Sequence, residues 1–230
     1  GLTDIYRILW EDKSIPVTAP QTLGSPMVRY FQDTGSVVMR SGWDYTETST
    51  DLWATYRVIP FTQPVNHYHA DQGHFDLARG QDRLAIDAGY YVSQESTTGY
   101  WGGYYSRTWS HNSLIIKDRS QTRRSSTGHL TVGTATDSAH QRGQIERFYN
   151  HPNYTYTFAN LQDAYNPSNA TALNSGTPVI SEVSRVTRQF VYLKDVFYLI
   201  YDRVGTTSSV NIEWLLHMID QPTVNGSTTV

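Results

Sequence analysis

The sequence contains no cysteine among its 230 residues. This absence excludes a disulfide scaffold, a cysteine-ligated metal and a thiol nucleophile. No apolar run approaches the roughly 20 residues of a membrane-spanning helix. The net charge of −3 gives no global attraction to nucleic acid or to an anionic membrane surface. We therefore expect neither a nucleic-acid partner nor a membrane span.

Runs of leucine, alanine, lysine and glutamate, which favour helices, are also scarce. Tyrosine, tryptophan, threonine, serine, valine and glycine are used heavily instead, and this balance favours pleated strands. A chain of 230 residues can bury a sizeable core as one large domain. No internal repeat of fixed period is present, which argues against a propeller or a solenoid. The composition therefore predicts an all-β protein.

Short β-rich segments separated by turn residues run through most of the sequence. The predicted strands are 27–32, 36–41, 52–61, 113–117, 129–133, 145–149, 154–159 and 211–219. Segment 183–204 predicts a hairpin that reverses at Lys194 and Asp195. This spacing is typical of a large antiparallel β-sandwich.

The first 25 residues differ from the rest. Ile5, Ile8 and Leu9 stand at helical spacing, and residues 14–25 form a connector rich in proline and glycine. We interpret 1–25 as the end of a preceding helical domain plus a linker, and 26–230 as the sandwich domain. Both ends of the chain are abrupt, so we expect a fragment of a longer polypeptide, truncated at its carboxyl terminus.

Four residues offer metal-binding or catalytic chemistry. His67 and His69 are two apart, so in a strand they would project from the same face. Asp87 interrupts an apolar run, and His111 precedes another predicted strand. Two imidazole nitrogens and one carboxylate oxygen form a mixed ligand set that zinc accepts. Each residue also has a simpler interpretation, because histidines are often packing residues and Asp87 could accept backbone donors in a bulge.

Two further segments could contact a ligand. Arg119, Arg123 and Arg124 lie in a loop that could grip an acidic sugar, although a solvated loop is the commoner use of such residues. Aromatic residues that include Trp101 and Tyr104 lie among glycines and could stack on sugar rings, or fill a core. The remaining histidines are interpreted mainly as surface or packing residues: His74, His129, His140, His151 and His217.

The sequence resembles the heparinase II/III-like polysaccharide lyases, which include alginate lyase relatives. The resemblance runs from about residue 9 to about residue 217 and is carried by four segments: RYFQDTGSVVMRSGWD (29–44), HYHADQGHFDLARGQDRLAIDAGYY (67–91), SHNSL (110–114) and RQFVYLKDVFYLIYDR (188–203). The order H-x-H-x-D, D-x-G-Y and H-N-[ST] is specific to that family.

The resemblance implies a role for each matched residue. His67 would face the substrate cleft and act on the uronate, and His69, Asp87 and His111 would hold a structural zinc ion. Asp71 would orient an imidazole from behind the ligands. The resemblance also implies an α/α toroid before a carboxy-terminal antiparallel β-sandwich, so 1–25 would be a helical remnant of that toroid.

The activity implied by the resemblance is β-elimination of a 4-linked uronate in an acidic polysaccharide. The tyrosine that removes the C5 proton would lie in the toroid, upstream of this chain, so we expect the chain alone to be inactive. The resemblance further implies a periplasmic or secreted bacterial protein, with a homodimer as one form of assembly.

Two alternatives come from other classes of protein. A non-catalytic carbohydrate-binding sandwich could use the aromatic loop for recognition. A cupin-type metalloenzyme also uses H-x-H, but it expects a glutamate about four residues after the second histidine, where this sequence has Gly73 and His74.

Overall fold

The structure is a computed structural model that describes residues 14, 16, 18–60, 69–88, 104–105, 108–116, 143–165, 183–221, 223–225 and 228–229. The strands are β1 (Val28–Phe31), β2 (Ser36–Arg40), β3 (Leu52–Arg57), β4 (His74–Arg79), β5 (Asp82–Ala85), β6 (Leu114–Ile116), β7 (Gln144–Asn150), β8 (Tyr154–Asn160), β9 (Val183–Leu193), β10 (Phe197–Thr206), β11 (Ile212–Trp214), β12 (Val224–Asn225) and β13 (Thr228–Thr229). Helical structure in the described ranges includes α1 (Gln162–Tyr165) and 3-10 turns at Gln32–Thr34 and Thr108–Ser110. No helix in these ranges is long and apolar enough to cross a membrane.

Two antiparallel sheets form the body of the molecule. The first has five strands in the order β1-β2-β3-β4-β5, so each strand pairs with its neighbour in sequence. The second has four strands in the order β10-β9-β8-β7. Two smaller pairs join β11 to β6 and β12 to β13. The prediction of an all-β antiparallel sandwich is confirmed.

The core lies between the two large sheets. Strand β2 alternates buried and half-buried residues, and β8 does the same, as expected for strands with one face inward. Tyr56 of β3 stacks on Phe190 of β9 with ring centroids 5.1 Å apart, and Phe75 of β4 lies 5.9 Å from the same ring. These aromatic contacts join the faces of the two sheets and lie next to the candidate site.

A buried arginine links the second sheet to the turns beside the site. Arg188 of β9 stands opposite Asp202 of β10, and its Nε and Nη2 atoms donate to the two carboxylate oxygens at 2.7 and 2.8 Å. Its Nη1 atom donates to the carbonyl oxygens of Gly73 at 2.6 Å and Asn112 at 2.9 Å. Gly73 directly precedes β4, and Asn112 directly follows His111. Through these two bonds β9 holds two backbone segments of the site in place.

Most predicted strands are present, and where both the predicted and the observed end are described, they differ by at most five residues. The hairpin reverses at residues 194–196, with Asp195 in the left-handed conformation at φ 63°. Strands β4 and β5 were not predicted. The predicted helix within 1–13 and the predicted strand at 129–133 lie outside the described residues.

Candidate metal centre

Three separate segments bring their side chains together at one end of the first sheet. His69 lies in an irregular segment before β4, Asp87 follows β5, and His111 follows the 3-10 turn at Thr108–Ser110. Each residue offers one ligand atom, and the three atoms all lie within 4.8 Å of one another. This cluster could hold a metal ion. His69 lies outside the strands, so the argument that two residues of a strand share a face does not apply to it.

Asp87 and His111 form the tightest contact of the cluster. The Nδ1 atom of His111 lies 2.7 Å from Oδ1 of Asp87, and the backbone N–H of Ala88 donates to the same oxygen at 2.7 Å. Burial alone would raise the pKa of Asp87, but the hydrogen bond and charge of His111 outweigh burial and hold that pKa far below its usual range. Asp87 is therefore an ionised carboxylate, and His111 Nδ1 is the donor.

His69 completes the cluster as a neutral ring. Its imidazole stacks on that of His111 with centroids 5.2 Å apart, and its other side meets the ring of Tyr105 edge-on at 4.6 Å. Burial lowers the pKa of His69 to about 4, although the nearby carboxylate of Asp71 opposes this shift. Since only a neutral imidazole can bind a metal, His69 is in the competent state at neutral pH.

Asn112 fastens the segments that carry the cluster. It is fully buried, and its Nδ2 atom donates to the carbonyls of Phe75 at 2.8 Å and Ile86 at 3.1 Å. Its Oδ1 atom accepts from the backbone N–H of His217 at 2.7 Å. The side chain thus joins the start of β4, the residue before Asp87 and the segment after β11. The SHNSL match includes Asn112, but nothing in the sequence indicates its contacts.

Hydroxyl groups attach the His111 turn to the His69 segment. Thr108 donates to the carbonyl of Ala70 at 2.9 Å, and Ser113 donates to the carbonyl of Gln72 at 3.1 Å. Ser110 donates to the carbonyl of Tyr105 at 2.8 Å and so ties down the backbone of the residue whose ring packs on His69. These buried bonds explain how two segments about 40 residues apart in sequence stay in register.

His74 is part of the site, although the sequence suggested only surface or packing use. It is buried, and its ring meets that of His111 at a centroid distance of 5.3 Å. Its Nδ1 atom accepts from the backbone N–H of Asn112 at 3.0 Å. Its Nε2 atom lies 3.4 Å from Oδ1 of Asp76 and 3.9 Å from Oδ2 of Asp87. No sequence signal separated His74 from the other histidines, because its closeness to Asp87 depends on the path of β4 and β5.

Asp71 lies behind the cluster, where the sequence placed it as a supporting residue. It is buried, and its Oδ2 atom pairs with Nη1 of Arg57 at 3.2 Å. The influence of Asp71 on His69 is a charge effect, because its carboxylate opposes the loss of the proton from that ring. Whether it also orients an imidazole stays a prediction.

A cleft of about 720 Å³ opens beside Asp87. Its lining includes two guanidinium groups and four carboxylates, from Arg40, Arg83, Asp44, Asp51, Asp76 and Asp87. Arg40 lies over the rings of Trp43 and Tyr45 at 4.4 and 5.0 Å. Because carboxylates outnumber the guanidinium groups, this cleft has no excess positive charge to attract a polyanion.

Several predicted site residues lie outside the described residues: His67, Trp101, Arg119, Arg123 and Arg124. Tyr104 is described and exposed. Their roles in substrate binding and catalysis stay predictions.

The model of the family "Heparinase II/III-like, C-terminal" matches residues 24–228 of this chain. No curated protein matches the chain in sequence.

Two solved structures share the fold. The heparan sulfate lyase HepC from Pedobacter heparinus superposes with a TM-score of 0.61 at 15% sequence identity, covering 97% of this chain and 30% of that protein. A heparinase III superposes with a TM-score of 0.62 at 13% identity, again covering 97% of this chain and 30% of the other. The chain thus spans about 30% of the length of these relatives.

Proposed function

The chain belongs to the heparinase II/III-like family, a family of polysaccharide lyases, and from this premise we propose that the protein cleaves a 4-linked uronate in an acidic polysaccharide by β-elimination. The observation that carries the proposal is the convergence of His69, Asp87 and His111 within a chain matched by that family over residues 24–228. The family match favours a lyase over a cupin-type metalloenzyme. In this proposal the chain is the sandwich that completes the active-site cleft.

We propose that the metal of the cluster is a structural zinc ion. Tetrahedral zinc with bonds of about 2 Å places its ligand atoms roughly 3.3 Å apart. The three ligand atoms lie within 4.8 Å of one another, and Nδ1 of His111 and Oδ1 of Asp87, 2.7 Å apart, share a proton. For a cation to replace this proton, the two side chains would have to move apart only slightly. Zinc would supply charge and fixed geometry, which keeps the His69 segment and its neighbour His67 in place.

The elimination itself needs three groups. A base removes the C5 proton of the uronate, the electron pair forms the C4–C5 double bond, and the C4–oxygen bond breaks as the leaving oxygen gains a proton. His67 would neutralise the substrate carboxylate and stabilise the enolate-like charge. The base would be a tyrosine of an α/α toroid upstream of this chain. Residues 1–25 would be the end of that toroid and its linker, and the chain alone would be inactive.

Substrate recognition is assigned to two segments near His111 in sequence. Arg119, Arg123 and Arg124 would bind the carboxylate or sulfate groups of the polymer with paired donors. Trp101 and Tyr104 would stack on sugar rings, and the exposure of Tyr104 supports this use. Asp71 would support the ligands from behind.

The remaining proposals concern the whole protein. Its partners would be the acidic polysaccharide and its own amino-terminal toroid, and it could assemble as a homodimer. An enzyme encounters a polymeric acidic substrate outside the cytoplasm. We therefore place the protein in the bacterial periplasm or in the secreted fraction.

The full-length protein, loaded with zinc, should be assayed on heparan sulfate, hyaluronan and alginate by the ultraviolet absorbance of the unsaturated uronate product. We expect activity on at least one polymer. His67→Ala should reduce kcat by about 10²-fold or more, as for other acid–base groups, without changing zinc content or the melting temperature. His151→Ala, which alters a histidine in the β7–β8 turn, is the matched control.

Binding of an acidic polymer without any product from the full-length protein would favour the non-catalytic carbohydrate-binding sandwich. Full activity of His67→Ala would remove His67 from the reaction and leave the family assignment intact.

A further inference from the structure

His74 is held in one tautomer by its surroundings. The backbone N–H of Asn112 can only donate, and it points at Nδ1 of His74 at 3.0 Å. Nδ1 must therefore accept, and the ring's proton is on Nε2. Since the side chain is 5% exposed, this N–H cannot turn to solvent. It makes no well-aligned hydrogen bond within the described part of the chain.

The His74 N–H is directed between two carboxylates. Oδ1 of Asp76 is 3.4 Å away, but Asp76 is fixed from the other side by Thr55, whose hydroxyl donates to Oδ2 at 2.8 Å. Oδ2 of Asp87 is 3.9 Å away, and Asp87 is tied to His111 through its other oxygen, Oδ1. Each carboxylate thus turns one oxygen toward His74 while its other oxygen is bound elsewhere, and Asp87 is the one of the two that belongs to the metal cluster.

We propose that His74 is a positioning residue for the metal centre, which holds the carboxylate of Asp87 through Oδ2 while Oδ1 faces the cation. The proposal rests on the metal site of the proposed function. With Nδ1 of His111 and Oδ1 of Asp87 as the ligand atoms, loading the site would lengthen their 2.7 Å contact, because two ligands of one zinc ion lie about 3.3 Å apart. The carboxylate then needs another partner, and the buried N–H of His74, which makes no hydrogen bond in the described part of the chain, lies 3.9 Å from Oδ2.

Two substitutions separate positioning from packing. In His74→Asn, the amide oxygen can still accept from the Asn112 N–H, but nothing reaches the carboxylates. In His74→Gln, the amide nitrogen can reach the position of Nε2 and donate to Asp87. A purely structural histidine, whose role is to accept from Asn112, predicts that asparagine is the better replacement. A positioning histidine predicts that glutamine is better.

The test measures zinc dissociation constants for the full-length protein by competition with a chromogenic chelator, together with melting temperatures of the metal-free forms. We expect His74→Asn to weaken zinc binding about 10- to 100-fold, as is usual when a supporting partner of a ligand is lost, and His74→Gln to stay within a few-fold of the wild type. His151→Asn and His151→Gln serve as matched controls and should not change zinc binding.

Equal zinc affinity in the wild type, His74→Asn and His74→Gln would overturn the proposal, and so would weaker binding in His74→Gln than in His74→Asn. A wild-type protein that binds no zinc would overturn the metal site itself, which distinguishes that failure from the failure of His74 alone.

Discussion

At the scale of single residues, the central feature of the site is the proton that His111 donates to the ionised carboxylate of Asp87. The carboxylate is ionised because its pKa is held far below the usual range, and the imidazole donates to it at 2.7 Å. In the proposed metal site, a divalent cation would compete with this proton for the two side chains. Removing the carboxylate charge should therefore affect metal binding more than it affects folding.

Asp87→Asn tests this competition. Asparagine keeps the shape of the side chain but loses the charge, so we expect zinc content in the full-length protein to fall from about one ion to nearly none after dialysis. Asp82→Asn, on the exposed part of β5, is the matched control and should keep its zinc. Full zinc content in Asp87→Asn would show that Asp87 is not a ligand.

The low pKa of His69 predicts a pH dependence of the metal-free protein. The folded-state pKa is about 4 and the unfolded value is about 6.5, so the unfolded chain binds more protons between these values. The free energy of unfolding should fall as the pH is lowered from 6.5 towards 4, with a contribution of up to about 1.4 kcal/mol per pH unit from His69. Urea unfolding across this pH range, with a chelator present, measures this change in the free energy of unfolding.

His69→Asn removes the titrating group, so its stability should depend less on pH across that window than the stability of the wild type. His151→Asn should keep the wild-type slope. Identical slopes for the wild type and His69→Asn would show that His69 is not protonated on unfolding in this range.

Sequence reasoning reached some of these residues for identifiable reasons. His69, Asp87 and His111 were found through the order of three short motifs, and the structure places them within 4.8 Å. His74 and Asn112 were missed because their importance comes from contacts across β4, β5 and the His111 turn, which no spacing in the sequence encodes.

At the scale of elements, β9 supports the site through Arg188. This side chain is fully buried and supplies four hydrogen bonds, two to Asp202 and two to the backbone carbonyls of Gly73 and Asn112. Arg188 and Asp202 both lie in the second sheet, and the two bonds from Nη1 connect this sheet to the turn before β4 and to the segment before β6. Loss of the guanidinium would remove this donor from the two carbonyl oxygens and from Asp202, which would keep the hydrogen bond from Nε1 of Trp214 at 2.9 Å.

Arg188→Met keeps much of the side-chain volume but removes every donor. We expect it to destabilise the protein by about 3–5 kcal/mol, since one half of a buried ion pair remains. Arg185→Met, at an exposed position of the same strand, should change stability by less than about 0.5 kcal/mol. Urea unfolding of both variants makes the comparison, and equal stabilities would contradict the role assigned to Arg188.

The turn that leads into β4 requires glycine for a steric reason. Gly73 has φ +80°, and an added Cβ would lie 2.7 Å from Cδ1 of Leu161. Gly24 has φ +67°, but a Cβ there would meet nothing within 4 Å. Gly24→Ala should therefore cost only the left-handed backbone penalty of about 1–2 kcal/mol. Gly73→Ala should cost more, and equal losses in melting temperature would contradict this account.

The strands differ in how clearly their sequence patterns predict them. Strand β8 alternates regularly, and both it and the β9–β10 hairpin were predicted. Strand β4 reads HFDLAR, in which Phe75 and Leu77 alternate with polar residues over only four positions, too few to distinguish a strand from a loop. Strand β5 has only four residues, three of them exposed, which leaves too short a pattern to recognise.

At the scale of the whole molecule, the site depends on long-range assembly. His69, Asp87 and His111 come from three loops whose positions are set by the first sheet, by the turn at Thr108–Ser110 and by Arg188 from the second sheet. The fold class could be predicted from composition and strand spacing. The convergence of the loops could only be expected from the family resemblance, because it depends on side-chain contacts between distant segments.

The central claim is that these three side chains bind one zinc ion. Crystals of the full-length protein, measured with X-rays on both sides of the zinc absorption edge, test it directly. The account predicts one anomalous peak bonded to one nitrogen each of His69 and His111 and to a carboxylate oxygen of Asp87. A zinc-loaded crystal with no peak between these residues, or with the ion bound elsewhere, would contradict the account.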